Sequence, residues 1–211
     1  MKFKVSKGLN IPISGNINPD KKNSVSVRNV ALLGEDYHGL KPTMLVKEGN
    51  VVIKGQNLFE DKKNPGVKFT SPVSGKIVEI NRGERRSFLS MVIEKNLNST
   101  SEVTFESFQD SSELSKDSVV KNLIESGTWT SFKTRPFSKI PKIDTIPEEI
   151  FISLISSDPL SLNPEDYLNH KADDFNFGLE VISYIPKNCV HISSSSTSNF
   201  SKITSDKIQY H

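Results

Sequence analysis

The chain has 211 residues, of which 27 are Lys or Arg and 25 are Asp or Glu, so its formal net charge at neutral pH is +2. This near balance gives no case for nucleic-acid binding, and the length is sufficient for one or two domains with a real core. Cys189 is the sole cysteine, which excludes a disulfide framework and a cysteine-ligated metal site. No apolar run approaches about twenty residues, so neither a secretory signal nor a membrane-spanning helix is predicted.

Residues 1–100 are predicted to form an all-β domain with an N-terminal extension. An edge segment is expected around Pro12, because proline cannot donate to a sheet. The apolar run 30–33 is expected to be a short strand that ends at Gly34. This part of the chain is therefore expected to consist of short strands separated by glycine turns.

The stretch 58–83 carries the clearest strand patterns. Val67 and Phe69 alternate with polar residues, and so do Val78 and Ile80 with their neighbours, which predicts half-buried strands. Closely spaced Pro and Gly residues supply the turns. Two such halves folded together predict a small flattened β-barrel or sandwich.

The order of these turns resembles the biotinyl/lipoyl barrel-sandwich hybrid architecture. Carrier domains of that kind present one acylated lysine at a hairpin tip, and Lys62 and Lys63 lie in the corresponding turn. Neither lysine has a neighbouring methionine, and Pro65–Gly66 widens the turn. Two interpretations stay open: a carrier or adaptor acylated at Lys62 or Lys63, and a turn with two solvated lysines.

Residues 101–211 are predicted to form a helical linker and the start of an incomplete, Rossmann-like α/β domain, so that the whole chain is of mixed α+β class. The predicted elements are an extended run at 102–108, a helix capped by Ser115 and stopped by Gly127, a strand at 150–155, a helix at 174–185, and strands at 190–192 and 203–210. The chain contains no G-x-G-x-x-G sequence and no P-loop, so it is predicted to bind neither NADH nor flavin.

Two stretches combine aromatic faces with polar groups. Residues 34–42 could hold a planar ring or could be only a flexible connection, whereas residues 127–139 could hold such a ring or could pack as core with their cations directed outward. The candidates are Tyr37, His38, Phe132, Arg135 and Phe137.

Catalytic signatures are scarce. The four histidines, His38, His170, His191 and His211, show no metal-ligand spacing, and no triad pattern is present. The acidic pairs 148–149 and 173–174 are more typical of solvated loops and helix starts than of acid/base couples. The chain is thus expected to have no catalytic residues of its own and no metal site.

Four long stretches, in the same order along the chain, resemble the NqrA family, which forms one subunit of the bacterial sodium-translocating NADH:quinone oxidoreductase. They span residues 31–49, 58–83, 124–141 and 151–161. The family chain runs well beyond 211 residues, so an N-terminal fragment is expected. A related subunit of the RnfC type is disfavoured, because no cysteine cluster for iron–sulfur centres occurs.

The resemblance implies a cofactor-free peripheral subunit on the cytoplasmic face of the bacterial inner membrane. The implied complex is a respiratory-chain translocase that transfers electrons from NADH to ubiquinone and exports Na+, with flavins, an iron–sulfur centre, NADH and ubiquinone on other subunits. Implied partners are those subunits, including integral membrane ones, with ubiquinone as a further potential ligand and no nucleic acid. If the chain contacts quinone, the aromatic faces beside polar groups in the two stretches predict Tyr37, His38, Phe132, Arg135 and Phe137 as the quinone-proximal residues.

Overall fold

The computed structural model describes residues 18, 23–108, 111–155, 158, 161–194 and 203–211. These residues fall into two compact units, one formed by Val25–Pro147 and the other containing Glu148–His211. The edge segment predicted around Pro12 lies outside the described residues. Within the described ranges, no helix has both the length and the hydropathy needed to cross a bilayer.

The Val25–Pro147 unit is built on two antiparallel sheets. The first has the strand order β1-β7-β6-β3 and the second the order β2-β4-β5. The strands are β1 (Asn29–Leu33), β2 (Pro42–Met44), β3 (Val51–Val52), β4 (Asn57–Asp61), β5 (Lys68–Thr70), β6 (Gly75–Arg82) and β7 (Phe88–Lys95). This arrangement agrees with the predicted barrel or sandwich.

The core of this unit lies between the two sheets. Leu58 and Phe59 are consecutive and both fully buried, which regular alternation forbids. A register shift between Asn57 and Phe59 resolves the conflict, because a β-bulge turns two successive side chains inward. Phe59 then stacks on Phe69 with ring centroids 4.7 Å apart. The buried set is Leu32, Val52, Leu58, Phe59, Val67, Phe69, Ile77, Met91, Ile93 and Trp129.

A second bulge overturns one sequence prediction. Val78 and Ile80 were expected to provide the buried face of β6, but Ile77 is the fully buried residue and Val78 is only half-buried. The register with β7 shifts between Ile77 and Glu79, so Val78 is an extra residue that reverses the alternation. The prediction for Val67 and Phe69 is confirmed, since both are buried.

Helix α1 (Lys116–Glu125) has the predicted ends. The Ser115 and Ser118 side chains form a capping box, and Gly127 follows the helix with a φ of 79°. A Cβ atom on Gly127 would lie 2.5 Å from Thr70 Oγ1, so the helix end sits directly on β5. The extended run predicted at 102–108 forms no regular strand, and Glu102 makes a single β-bridge with Lys54 there.

The segment that contains α1 packs on the barrel. Val120, Leu123, Ile124 and Phe132 contact the core between the sheets, and Trp129 belongs to it. The compact unit therefore reaches Pro147. A domain boundary at residue 100 stays a prediction. In the structure, the segment that contains α1 packs on the β strands and belongs to the same compact unit.

The second unit is a parallel sheet with helices. Strands β8 (Ile150–Ser153), β9 (Val190–Ser193) and β10 (Ile208–Tyr210) lie in the order β10-β9-β8, and both pairings are parallel. Helices α2 (Pro164–Leu168) and α3 (Ala172–Ser183) lie between β8 and β9 in the sequence. The buried core residues are Leu154, Leu179, Val190, Ile192 and Ile208.

These elements confirm the predicted helix and the predicted strand at 190–192. The predicted strand at 150–155 is confirmed as β8, which covers Ile150–Ser153 and pairs in parallel with β9. One face of this strand is not buried, because Phe151 is 72% exposed. Asp173 and Asp174 lie in the first turn of α3, where negative charge favours the helix, as predicted.

A glycine pair tests the contact between α1 and β5. We expect Gly127→Ala to lower the free energy of unfolding by about 2–3 kcal/mol, because Thr70 would have to move and give up its hydrogen bond to the Ser126 carbonyl. Gly49→Ala, at a φ of 87° with open space around it, should cost only about 1 kcal/mol of left-handed backbone strain.

Urea unfolding of both variants and of the parent chain measures the difference. Equal losses for the two variants would contradict the close contact between Gly127 and Thr70.

Candidate functional site

A cleft in the Val25–Pro147 unit is the candidate site. Its volume is about 430 Å³, within the range of roughly 300–1,000 Å³ typical of small-molecule sites. Its walls are the loop after β1, the hairpin between β4 and β5, and residues 132–147, which we call the strap. The lining residues are Tyr37, His38, Gly39, Leu40, Asp61, Lys63, Asn64, Thr134, Lys139, Ile140, Pro141, Lys142 and Thr145.

The loop after β1 is held by a close backbone contact. A Cβ atom on Gly34 would lie 2.2 Å from the Phe88 carbonyl oxygen, so only glycine fits there. A single 3₁₀ turn follows, and Tyr37 then meets Phe69 edge-on, with centroids 4.9 Å apart and planes at 83°. The core thereby fixes the Tyr37 ring, as edge-to-face aromatic pairs do.

Tyr37 has an acidic neighbour, Asp36, and a basic neighbour, Lys133. Burial, followed by the nearby Asp36 carboxylate, raises the pKa of Tyr37 above its usual 10.0. Lys133 places its Nζ atom 5.5 Å from the centroid of the Tyr37 ring and donates to the Asp36 carbonyl oxygen at 3.0 Å. At neutral pH the Tyr37 hydroxyl carries its proton, as an unperturbed phenol also does, and it can donate a hydrogen bond to a ligand.

The β4–β5 hairpin is tied to the same loop. One oxygen of Asp61, Oδ1, accepts from the backbone N–H groups of Lys41 and Lys63 at 3.2 and 3.0 Å. The Lys63 Nζ atom donates to the Gly39 carbonyl at 3.1 Å. The side chains of Lys62 and Lys63 are both exposed, but only Lys63 lines the cleft.

The strap is fastened through one carbonyl. Asn64, which is 8% exposed, donates from Nδ2 to the Pro141 carbonyl at 2.9 Å, and the buried Trp129 donates from Nε1 to the same oxygen at 3.0 Å. Ile143 lies over the hairpin, since a Cβ atom on Gly66 would be 2.8 Å from its Cδ1. Both lone pairs of one backbone oxygen thus hold the strap against the barrel.

The cleft contains the first predicted stretch. Tyr37 and His38 both line it, and whether this loop holds a planar ring or only connects two strands stays a prediction. Lys133 brings the second predicted stretch into contact with the first through Asp36 and the Tyr37 ring. The two stretches therefore meet, although Asp36 and Lys133 are 97 residues apart in the sequence.

The second stretch is divided by the structure. Phe132 is half-buried against Trp129, with ring centroids 5.4 Å apart, as the core interpretation predicts. Arg135 and Phe137 lie outside the lining of the cleft and are exposed, Phe137 to 71%. They occupy a turn closed by hydrogen bonds from the Thr134 and Ser138 N–H groups.

Several lining residues were not singled out from the sequence. Asn64, Lys139 and Lys142 come from turns and irregular backbone, where no periodic pattern marks burial or orientation. The one indication of burial in this region was the apolar pair Ile140–Pro141, which lies between Lys139 and Lys142. Sequence alone could not indicate that this pair folds back onto the hairpin.

The lining suits a flat, largely apolar ligand with acceptor oxygens. Leu40, Ile140 and Pro141 provide apolar wall, while Lys63, Lys139, Lys142 and Tyr37 are lining residues whose side chains carry hydrogen-bond donors. Asp61 is less available as an acceptor for a ligand, because its Oδ1 already accepts two backbone hydrogen bonds.

Within the described ranges, no cluster of three or more His, Cys, Asp and Glu side chains is arranged to hold a metal ion. The second unit does bring two histidines together: His191 Nδ1 lies 2.9 Å from His211 Nε2, and Glu149 Oε2 is 3.5 Å from His191 Nε2. The sequence spacing concealed this contact, because parallel strands join residues that are far apart in the chain.

Two family models match the chain. The model of the NqrA N-terminal barrel-sandwich hybrid domain matches residues 3–96, and that of the NqrA second alpha/beta domain matches residues 114–211. Together they agree with the two kinds of fold that the structure contains, and they confirm the predicted fold class.

Curated relatives share one name, that of the NqrA component of the Na(+)-translocating NADH-quinone reductase. The protein of Marinomonas sp. (strain MWYL1) is 45% identical over 190 residues, which are 90% of this chain and 43% of the relative. That of Glaesserella parasuis serovar 5 (strain SH0165) is 49% identical over 181 residues, 85% and 40% respectively. That of Histophilus somni (strain 129Pt) is 43% identical over 209 residues, 98% and 46%. The chain thus spans less than half the length of these relatives, and none of them supports the carrier alternative.

Asn64 is the residue to change in order to test the fastening of the strap. We expect Asn64→Ala to lower the free energy of unfolding by about 2 kcal/mol, since a nearly buried amide and its hydrogen bonds to the strap are lost. Lys62→Ala, an exposed change in the same hairpin, should stay within about 0.5 kcal/mol of the parent.

Trp129 is the only tryptophan, so its fluorescence reports on the strap directly. A red shift of the folded Asn64→Ala protein is expected as Trp129 becomes more hydrated. An unshifted emission together with unchanged stability would show that the Asn64 contacts do not hold the strap.

Proposed function

Because the chain belongs to the NqrA family of the Na(+)-translocating NADH-quinone reductase, we propose that it acts as the NqrA component of a sodium-pumping NADH:quinone reductase complex. In this role it has no catalytic residue of its own. It contributes assembly and an approach path for quinone to a complex that transfers electrons from NADH to ubiquinone and exports Na+.

The observation that carries this proposal is the match of both domains in family order. Identities of 43–49% extend over 85–98% of the chain. Such agreement across two domains of different architecture supports a shared role more strongly than a shared fold does.

The proposal places the complex's flavins, iron–sulfur centre and NADH site on other subunits. The chain's partners would be those subunits, including integral membrane ones, at the cytoplasmic face of the bacterial inner membrane. Docking of a water-exposed chain on membrane subunits accounts for a peripheral location.

We further propose that the cleft lies on the quinone path. A quinone head group is flat and apolar with two carbonyl oxygens, and the cleft offers apolar wall beside the Tyr37 hydroxyl, the His38 ring and the lysine ammonium groups. The Tyr37 hydroxyl is a hydrogen-bond donor at neutral pH and would donate to a quinone oxygen. The volume of about 430 Å³ is sufficient for the head group.

The remaining predicted residues fit around this position. Phe132, the first residue of the strap, packs on the buried Trp129 and so joins the strap to the barrel core. Arg135 and Phe137 stand on the exposed turn beside the cleft, where the apolar face of Phe137 would meet the isoprenoid tail of a quinone.

A chimera tests the proposed role in the complex. This chain replaces the matching N-terminal part of the Marinomonas NqrA protein, and the remaining subunits are produced with it. The chimera is expected to co-purify with the other subunits and to retain NADH:quinone reductase activity. A chimera that folds but is absent from the purified complex would contradict the proposed role.

The same chimera tests the quinone path. In the assembled complex, Tyr37→Phe should weaken labelling by a photoreactive ubiquinone analogue about five-fold, as expected for one lost hydrogen bond of about 1 kcal/mol. Tyr167→Phe is the matched control, because this exposed tyrosine lies in the other unit. Unchanged labelling in Tyr37→Phe, or labelling confined to other subunits, would remove the cleft from the quinone path.

A further inference from the structure

Arginine is used in an unusual way in this chain. Of its 27 basic residues only five are arginines, and three of these, Arg82, Arg85 and Arg86, fall within five consecutive positions. The other basic residues of the described surface are nearly all lysines. Arginine differs from lysine in presenting a planar fork of donors that binds phosphate or carboxylate in a bidentate manner.

The three arginines lie at the tip of the longest hairpin. Strands β6 and β7 have eight residues each and are paired up to Arg82 and Phe88. Hydrogen bonds from the N–H groups of Gly83, Arg86 and Ser87 close the tip. The arginines are therefore presented on an ordered loop at the end of two strands.

The backbone of this tip is unfavourable for arginine. Arg85 and Arg86 have φ values of 52° and 61°, in the left-handed region that favours glycine or asparagine. Two consecutive side chains are thus held where folding alone would select smaller residues. Strain of this kind is typical of sites where the side chain serves a purpose other than stability.

The tip carries uncompensated positive charge. Among the described residues, the three arginines form no ion pair, whereas elsewhere in this unit carboxylates pair with Arg28, Lys54, Lys68 and Lys121. Glu84 is the only acidic residue between Arg82 and Arg86. Leu89 stands beside Gly83 and is 52% exposed, so an apolar side chain accompanies the cations.

We propose that this hairpin tip, residues 82–89, binds the phosphate head groups of an anionic bilayer and thereby orients the protein on the membrane. The inference rests on the proposed peripheral location. Arginine forks match phosphate oxygens. The half-exposed Leu89 suits the head-group boundary of a bilayer, where an apolar side chain is buried while neighbouring cations stay at the phosphates.

The expected strength is modest. Each cation near an anionic surface raises partitioning roughly five-fold, so three give on the order of 100-fold. Binding of this strength is sufficient to orient a protein that is already held in place by other subunits. It is insufficient as the sole membrane anchor.

Co-sedimentation of the full 211-residue chain with lipid vesicles tests the proposal. Binding is expected to phosphatidylcholine vesicles that contain phosphatidylglycerol, and not to phosphatidylcholine alone. The variant with Arg85→Gln and Arg86→Gln should lose binding about 25-fold. The variant with Lys76→Gln and Lys95→Gln removes the same charge from the opposite end of the same two strands and should bind nearly as well as the parent.

A third variant guards against an effect on folding. Arg85→Gly with Arg86→Gly suits the left-handed backbone, so it should raise the unfolding midpoint while losing the same vesicle binding. Equal losses from the lysine and arginine variants would reduce the effect to net charge and overturn the proposal.

Full binding by the arginine variants, or no binding by the parent, would also overturn it. If the chimeric complex then lost one of its other subunits on substitution of the arginines, the tip would belong to an acidic protein surface. Because the vesicle assay needs neither complex assembly nor quinone, its failure leaves the proposed role in the complex untouched.

Discussion

One backbone oxygen carries much of the architecture around the cleft. The Pro141 carbonyl accepts from the Trp129 indole and from the Asn64 amide. Trp129 belongs to the barrel core, and Asn64 belongs to the β4–β5 hairpin. The strap, which has no regular secondary structure, is thereby fixed to two separate parts of the barrel. The cleft exists because this attachment holds the strap in place as one of its walls.

The barrel itself depends on departures from regular pairing. Bulges in β4 and β6 bury Leu58 with Phe59 and turn Ile77 inward. Short strands that must curve around a small core cannot keep strict alternation along their whole length, and an extra residue accommodates the curvature. The stacked Phe59 and Phe69 rings then fill the space between the sheets and present an edge to Tyr37.

The sequence predicted what local rules determine. Ser115 and Gly127 marked the ends of α1, because capping chemistry depends on neighbouring residues only. The burial of Val67 and Phe69 followed from period-two alternation. Val78 was mispredicted because a bulge depends on the partner strand, which a local pattern does not contain. Tyr37 and His38 were selected for their chemistry, whereas Asn64, Lys139 and Lys142 enter the cleft through long-range contacts that no spacing reveals.

The close approach of Gly34 to the Phe88 carbonyl has a mechanical consequence. Phe88 is the first residue of β7, immediately after the arginine-bearing loop, and Gly34 begins the turn that presents Tyr37. The β1–β7 register, which pairs Leu33 with Ser90, brings the backbones of Gly34 and Phe88 into direct contact. If Phe88 moved toward β1, the Gly34 backbone would therefore have to move with it, because no side chain lies between the Phe88 carbonyl and Gly34. The position of the arginine-bearing loop and that of the Tyr37 loop are therefore linked through the backbone contact between Gly34 and Phe88.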